Sequence, residues 1–456
     1  MDIIPILIKN NSDKSLMFHR VSKNVENGLP GCPGRRLPAD APAGTLFANS
    51  FIPQARWPGT LRAYSPGMDW PKQRIETLTD FQPPFCPRFD CPAHHVEDPQ
   101  AFRYQRFGTF QRKCDGRVVP RFRCVTCGRT FSLQTFATSY WLKRPDLQVP
   151  IAAQSVAGSA LRQIARTLRC SHSTVHAQVN RLGRHCLLLQ AFSHHHITIR
   201  EPLDYDDFET FAFSQLLPYG MATPVGTVSR WVYALGYAPH RRGGKLTPAQ
   251  KKSQDRLDQL WGKPPRGAYL HSAREMMEWL LSRVPEGETL VIFCDGHTSY
   301  GRAWKPWIEA GRVKVVVFPN PKRGPKGSPR SPEAWLRDRA MFASDQFHGF
   351  VRHSRSNHKR ETIAHGRRAN DQLGRDLVMA VFVNLIKKST ERRPCQTTPG
   401  MLLGLTTEPW TWDQVLAKRL FPSKVKLPEL WEKIYKREIV TPGLKVNRRK
   451  TNLYVC

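Results

Sequence analysis

The segment Leu203-Asp-Tyr-Asp-Asp-Phe-Glu-Thr-Phe211 packs Asp204, Asp206, Asp207 and Glu209 into nine residues. Leu203 and Tyr205 alternate with polar neighbours, as a half-buried strand requires, so the segment reads as a strand with acids toward its end. Crowded carboxylates are out of keeping with the rest of the chain. Its 456 residues hold 70 Lys+Arg against 37 Asp+Glu, a net charge of +33 with a pI near 10.2. Such an excess points to a polyanionic partner, most often nucleic acid.

Downstream, Thr289-Leu-Val-Ile-Phe-Cys-Asp295-Gly296 is an apolar strand that ends in Asp then Gly. An acid there lies at the strand's carboxyl end, where open α/β sheets place their sites. A third acid, Glu361, falls in Arg352-His-Ser-Arg-Ser-Asn-His-Lys-Arg-Glu361-Thr-Ile-Ala-His365. With Leu373, Leu377, Val381 and Leu385 at helical spacing, the stretch to Lys388 reads as one long helix carrying Asn357, His358, Glu361 and His365 on one face. Two strand-end aspartates and a helical glutamate can hold two Mg²⁺ ions about 4 Å apart, which suits phosphoryl displacement. Strand-like and helix-like runs alternate from about 198 to 390, a mixed α/β domain. A basic, polar stretch near 239–263 reads as an insertion or mobile arm within it. A second basic, proline-rich loop spans 319–332.

Ahead of this region, residues 81–136 carry Cys86-Pro-Arg-Phe-Asp-Cys91 and Cys124-Val-Thr-Cys127-Gly. Two short loops that each place two sulfurs about 2.3 Å from one metal suit a structural Zn²⁺ ribbon. The Gly after Cys127 permits the tight turn of such a knuckle. Cys114, His94 and His95 lie between the pairs as substitute ligands. Arg112, Lys113, Arg117, Arg121, Arg123 and Arg129 flank the ribbon and point to phosphate.

Residues 150–190 read as helical. Leu161, Ile164, Ala165 and Leu168 share one helical face, and Val175, Val179 and Leu182 share another after a short turn. Ser171 or Ser173 is the expected N-cap. Two short helices joined this way fit a helix-turn-helix, with Arg162 on the first and His172, Thr174, His176, Gln178 and Arg181 of the second offered to DNA.

The ends read differently. Residues 1–80 recur in Pro and Gly without periodicity and read as a poorly ordered extension, with Met68 a candidate start of translation. Residues 391–456 form a C-terminal region with a basic end (Arg448, Arg449, Lys450). No run approaches 18 consecutive apolar residues, which excludes a membrane-spanning helix. Eleven unevenly spaced cysteines fit a reducing compartment rather than a disulfide framework. Lys322-Arg-Gly-Pro-Lys-Gly-Ser328 lacks the spacing of a nucleotide phosphate loop, so no nucleoside triphosphate is expected.

Taken together, Cys86, Cys91, Phe122-Arg-Cys-Val-Thr-Cys-Gly-Arg-Thr-Phe131, Leu203-Asp-Tyr-Asp-Asp207, Phe293-Cys-Asp295 and Ser356-Asn-His-Lys-Arg-Glu361-Thr resemble the bacterial insertion-sequence DDE transposases that carry an N-terminal zinc ribbon and helix-turn-helix. The resemblance covers about 81–388. It implies a multidomain α/β protein whose ribonuclease-H-like catalytic domain, a mixed sheet flanked by helices, follows the two DNA-binding units. Its motif maps the catalytic, Mg²⁺- or Mn²⁺-binding acids onto Asp206, Asp295 and Glu361, with Asp207 the fallback for the first. The spacing between the second and third acids exceeds that of many such enzymes, so Glu333 and Asp345 stand as remote alternatives. The implied activity is binding of terminal inverted repeats, Mg-dependent strand cleavage and strand transfer. The implied partners are double-stranded DNA, as transposon ends and target, and further copies of the chain on that DNA. The implied location is the bacterial cytoplasm, at the nucleoid when DNA is bound. The alternatives are a two-metal nuclease without strand transfer and a non-catalytic zinc-ribbon DNA-binding regulator.

Overall fold

The computed structural model describes residues 67–322, 324–325, 327–359, 362–390 and 396–444. Most of the expected N-terminal extension, Glu361, Cys395 and the basic end at Arg448, Arg449 and Lys450 lie outside the described residues. Strands β1 (Tyr104–Gln111), β2 (Val118–Cys124) and β3 (Thr130–Ser132) form a small antiparallel sheet in the order β1-β2-β3. Helices α1 (Gln148–Val156), α2 (Leu161–Thr167) and α3 (His172–His195) follow. Leu161, Ile164, Ala165 and Leu168 meet Val175 and Val179 in one apolar cluster, as their spacing requires. Ser171 caps α3, its hydroxyl accepting from the Thr174 N–H.

The main sheet begins with β4 (Leu203–Phe211), β5 (Pro218–Gly226) and β6 (Ala238–Pro239). Helices α4 (Pro248–Trp261) and α5 (Ala268–Leu281) lead to β7 (Leu290–Cys294), α6 (Thr298–Glu309) and β8 (Val313–Val317). The spatial order is β6-β5-β4-β7-β8. β4, β5 and β6 pair antiparallel, whereas β7 runs parallel to β4, and β8 to β7. Helices α7 (Pro332–Ala340), α8 (Phe342–Ser354) and α9 (Ala369–Val381) come next, then the short α10 (Pro399–Leu402) and α11 (Trp412–Val415), and α12 (Glu429–Lys436). α8 packs on β4 and β5 over one face; α5 and α6 line the other edge and face through β5, β6 and β8. The result is a mixed α/β fold with a mixed sheet flanked by helices.

Several expectations change. The stretch near 239–263 is no mobile arm over its second half: Thr247 and Gln250 cap α4 reciprocally, and Arg241 pairs with Asp255 and Asp258. The N-terminal residues from Met68 on are docked rather than poorly ordered, because Trp70 stacks on Trp410 at 5.6 Å and the Met68 N–H donates to the Leu405 carbonyl. The C-terminal segment likewise feeds Trp410, Trp412 and Trp431 into the same apolar core as α3, the main sheet and α9. The His194–His196 run is no polar linker either. It ends α3, where His194 is buried and stacks on Trp279 at 4.2 Å. α3 therefore reaches from the helical cluster deep into the main core. It crosses α9 at Gly183 and Gly374, where a Cβ on Gly183 would come within 2.9 Å of the Gly374 carbonyl oxygen.

The single long helix expected from Arg352 to Lys388 is broken. α8 stops at Ser354, Arg355 is extended, and α9 begins only at Ala369. Side chains reaching across the gap explain the break. Arg355 lies 3.6 Å from Asp376, and His358 Nε2 is 2.9 Å from the same carboxylate, with all three side chains buried. His358 Nδ1 meets the Thr210 hydroxyl at 2.9 Å. Removing the one acid would leave the Arg355 guanidinium buried without its counter-charge. Asp376→Ala is therefore expected to destabilise the protein by about 3–5 kcal/mol, read by chemical denaturation; a loss near that of a surface substitution would refute the account.

Two buried histidines set an acid limit. His185 Nε2 meets the Val415 carbonyl at 2.8 Å and His194 Nε2 the Trp279 carbonyl at 3.0 Å, while both Nδ1 atoms are buried without partners. Burial pushes His185 down to about 4 and His194 to about 3 from 6.5. The unfolded chain thus takes up protons that the folded chain refuses. Their stabilisation is full above pH 6.5 and falls by up to about 1.4 kcal/mol per pH unit per ring as pH drops toward those folded values. Buried Asp204, Asp206 and Asp207, raised to about 7, act in the opposite direction over this range, so the reading is a difference: between pH 6 and pH 4 the melting temperature of wild type is expected to fall relative to that of His194→Gln.

Candidate functional site

β4 and β7 bring two of the expected acids together. Their parallel register pairs Leu203 with Ile292, Asp204 with Phe293 and Tyr205 with Cys294. Asp206 and Asp295 follow directly on the last of these pairs, and the charge of Asp295 acts on Asp206, so the two carboxylates are neighbours. Gly296 turns the chain away with φ of 85°, where a Cβ would come within 2.6 Å of Val317. The Asp295 carboxylate accepts from the His297 N–H at 3.0 Å and from Asn320 Nδ2 at 3.3 Å.

The acids of β4 separate by role. Asp204 is buried and accepts from the Ser344 N–H and hydroxyl at 2.8 and 2.9 Å, capping the first turn of α8 from outside. Asp207 points to the opposite face, where the Tyr300 hydroxyl donates to it at 2.6 Å. Its other oxygen is buried without a partner. Asp206 faces His348 of α8, with Nδ1 to Oδ2 at 3.6 Å. Burial pushes Asp206 up to about 7, and the negative charge of Asp295 adds to the shift. Burial likewise raises Asp204 and Asp207 to about 7.

His348 is the residue that sequence reasoning missed. The Thr223 hydroxyl donates to the Asp206 carbonyl, so His348 Nε2 donates to Thr223 and its Nδ1 turns a lone pair toward Asp206. A one-turn offset from Ser344 on α8 places it there, which no local pattern reveals. Asp345, in the first turn of α8, pairs with Arg337, and its charge acts on both Asp204 and Asp206. Glu333 lies at the start of α7 and is exposed. Glu361 itself is outside the described residues.

The cysteine pairs converge. Cys86, Cys91 and Cys124 are buried and Cys127 is half-buried, with their sulfurs all within 4.8 Å of one another. The Cys86–Cys127 and Cys91–Cys124 separations are 3.7 and 3.9 Å. A tetrahedron with 2.3 Å metal–sulfur bonds has edges of about 3.8 Å. Backbone N–H groups of Arg88, Ala93 and Arg129 point at Cys86, Cys91 and Cys127, each two residues on, as a metal knuckle needs. The cluster can hold a structural metal such as zinc. Among the described residues it is the only set of three or more Cys, His, Asp or Glu groups this close. The substitute ligands are excluded by their own bonds or position. His94 bridges the Cys86 carbonyl and the Ser423 hydroxyl, both at 2.7 Å; His95 meets the Phe89 carbonyl; Cys114 is exposed.

The expected DNA-reading residues divide. Arg162 is exposed and Thr174 half-buried beside Ser171. His176 meets Asp371 of α9 at 3.2 Å, and Arg437 holds the other oxygen of that carboxylate at 2.9 Å. Gln178 and Arg181 are buried, so they are not offered to a groove. Gln178 Nε2 donates to the Arg144 carbonyl and Arg181 Nε to the Thr138 carbonyl. The sequence held the signal for Gln178, which lies three residues after Val175 and four before Leu182, on the apolar stripe. Arg166 and Arg169, not singled out from sequence, join Arg162 and His172 around a basin of about 650 Å³ at the α2–α3 turn.

No family model, curated protein or solved structure matches this chain.

Proposed function

We propose that the protein is a DDE-type DNA transposase with a ribonuclease-H-like catalytic domain. The observation that carries the reading is that Asp206, mid-way along β4 and just past its last pair with β7, and Asp295, the residue after β7, come next to each other on adjacent parallel strands. A mixed sheet flanked by helices, with acids on neighbouring strands, is what such a domain calls for. The donor set fits hard divalent cations, because two neighbouring carboxylates offer oxygens and their mutual repulsion is relieved by positive charge. Asp206, Asp295 and Glu361 would hold Mg²⁺ or Mn²⁺, with Asp345 the competing third acid. Bound there, the ions supply activation of the attacking oxygen and stabilisation of the leaving one.

The chain's own residues do the rest. Asp204 fixes α8 against β4, and α8 holds His348 beside Asp206. Asn320 and the His297 N–H orient Asp295. Arg162, Arg166 and Arg169 form a cationic basin at the helix-turn-helix suited to duplex phosphates. Because α3 joins that turn to the main core, bound DNA would be held at a fixed position relative to the acids.

The test uses purified full chain, Mg²⁺ or Mn²⁺, and DNA carrying the inverted repeats that bracket its gene. Nicking followed by joining to a second DNA is expected. Nicking without joining would favour the nuclease, and binding without cleavage the regulator. Loss of activity in Glu361→Ala with Asp345→Ala active assigns the third acid to Glu361; the reverse assigns it to Asp345.

A further inference from the structure

His348 Nδ1 stands 3.6 Å from Asp206 Oδ2, and neither atom carries a proton for the other. The Thr223 hydroxyl spends its one proton on the Asp206 carbonyl, at 2.9 Å. His348 Nε2 meets the same hydroxyl and must therefore supply the hydrogen of that bond. The other ring nitrogen keeps its lone pair, which faces a carboxylate oxygen. Two electron-rich atoms repel, so a positive group belongs between them. Distance decides which. A shared proton would draw the pair to about 2.7–3.2 Å. A bridging water, with two hydrogen bonds of about 2.8 Å, would part them to about 4.5 Å. A divalent cation bonded at about 2.1 Å to both sets them about 3.0 Å apart at an octahedral angle and about 3.4 Å at a tetrahedral one. The observed spacing exceeds a hydrogen bond, falls well short of a water bridge and lies closest to the cation. Arg337, whose charge reaches Asp206, is paired with Asp345 instead.

One neighbour fixes both groups. Thr223 is buried and stands opposite Asp206 in the β4–β5 register. Its hydroxyl ties the Asp206 backbone to the His348 ring, the kind of outer bond that sets the tautomer and direction of a metal-binding imidazole. The ring is held from other sides as well. Ser344 binds Asp204 and so fixes the register of α8, and Phe208 packs on His348 with centroids 5.2 Å apart. The imidazole is thus aimed at Asp206 before any ion arrives.

We propose that His348 Nδ1 is a ligand of the divalent cation held at Asp206, and that this nitrogen makes the site favour Mn²⁺ over Mg²⁺. Mg²⁺ is a hard ion served by oxygen, whereas affinity for nitrogen ligands rises along the first-row metals from Mn²⁺ onward. Among the described residues no third Cys, His, Asp or Glu atom lies within 4.8 Å of both groups. Water and substrate phosphate therefore fill most of the remaining positions, as they do for such ions. The inference rests on the reading of Asp206 as a metal-holding acid. It adds to the acids a nitrogen donor from α8.

The test adds Mn²⁺ to full-length, zinc-loaded protein and reads it by electron spin-echo spectroscopy, which detects a directly bound imidazole nitrogen without any activity. Wild type is expected to show that nitrogen coupling and to bind Mn²⁺ at least about tenfold more tightly than Mg²⁺. His348→Gln still reaches Thr223 but lacks the Nδ1 donor, so the coupling should vanish and Mn²⁺ affinity fall by roughly 10–100-fold or more. His348→Asn puts an amide group where Nδ1 stood. It should lose the coupling and bring the Mn²⁺ and Mg²⁺ affinities together. Thr223→Val releases the ring and should weaken Mn²⁺ binding, whereas Thr223→Ser should keep it. Mn²⁺ bound to wild type without nitrogen coupling overturns the inference and leaves the carboxylate site standing. So does coupling that survives in His348→Gln. Mn²⁺ bound at wild-type strength by Asp206→Asn, or neither ion bound by wild type, defeats the underlying reading and the inference with it.

Discussion

Asp206→Asn and Asp295→Asn will each abolish Mg-dependent strand cleavage while leaving the fold as stable as before, or more so. The two halves of this result have one cause. Asp206 is a carboxyl that burial and its neighbour Asp295 push up to about 7, so its ionised form is held at a cost to the folded state. Asparagine keeps the shape and removes the repulsion, and melting temperature without metal should hold or rise. The same change deletes an anionic oxygen that a hard cation needs. Loss of a group that only orients a metal ligand typically costs 10–100-fold, so loss of the ligand itself should exceed about 100-fold in cleavage rate. Duplex binding should persist, because the Arg162, Arg166 and Arg169 basin belongs to α2 and its turn. Asp204→Asn serves as the contrast. It weakens the cap on α8 and should act on stability first. Cleavage by Asp295→Asn at wild-type rate would sink the proposed site.

Local patterns made much of this architecture readable in advance. The alternation of Leu203 and Tyr205 located β4, although the start of that strand is covered on both faces and Asp204 is buried as well; the apolar run ending at Cys294 marks β7 because that strand is covered on both faces. The cysteine knuckles are readable from local pattern too, since a short loop, four intervening residues in Cys86–Cys91 and two in Cys124–Cys127, fixes two sulfurs. What failed to show was long-range. The break between α8 and α9 depends on Arg355 and His358 turning to Asp376, an acid on the next helix. The apolar spacing beyond Leu373 continued the helical pattern, and nothing local announced that the chain would stop and restart. His348 is beside Asp206 only because Asp204 caps α8 in that register. The C-terminal tryptophans looked like a separate region, and their burial against α3 and the sheet is settled by shape rather than by sequence period. Gln178 is the exception, misread although its spacing placed it on the buried stripe.

Chelation of the metal from the cysteine cluster should unfold the ribbon while leaving the main core folded. The ribbon's own apolar support is thin. Cys86, Cys91, Ala93, Phe102 and Cys124 form one small buried group, and Val119, Phe122 and Leu133 another. A core of that size cannot offset the chain entropy of some fifty residues, whereas a structural zinc contributes about 10–16 kcal/mol in small zinc-dependent units. Cys124→Ser should be more damaging than Cys127→Ser, because Cys124 is fully buried and a serine hydroxyl there would lack a partner, while Cys127 is half-open to water. Cys114→Ser should be silent, its thiol being exposed and outside the cluster. The measurements are zinc per chain by mass spectrometry and protease cutting between residues 86 and 136. Two-phase unfolding should appear after chelation, with the second phase matching that of the zinc-loaded protein. Near-complete resistance of the chelated ribbon to protease would show that its aromatic contacts to Phe421, through Phe85 and Phe136, hold it without metal. In that case the four sulfurs would need another explanation for their tetrahedral spacing.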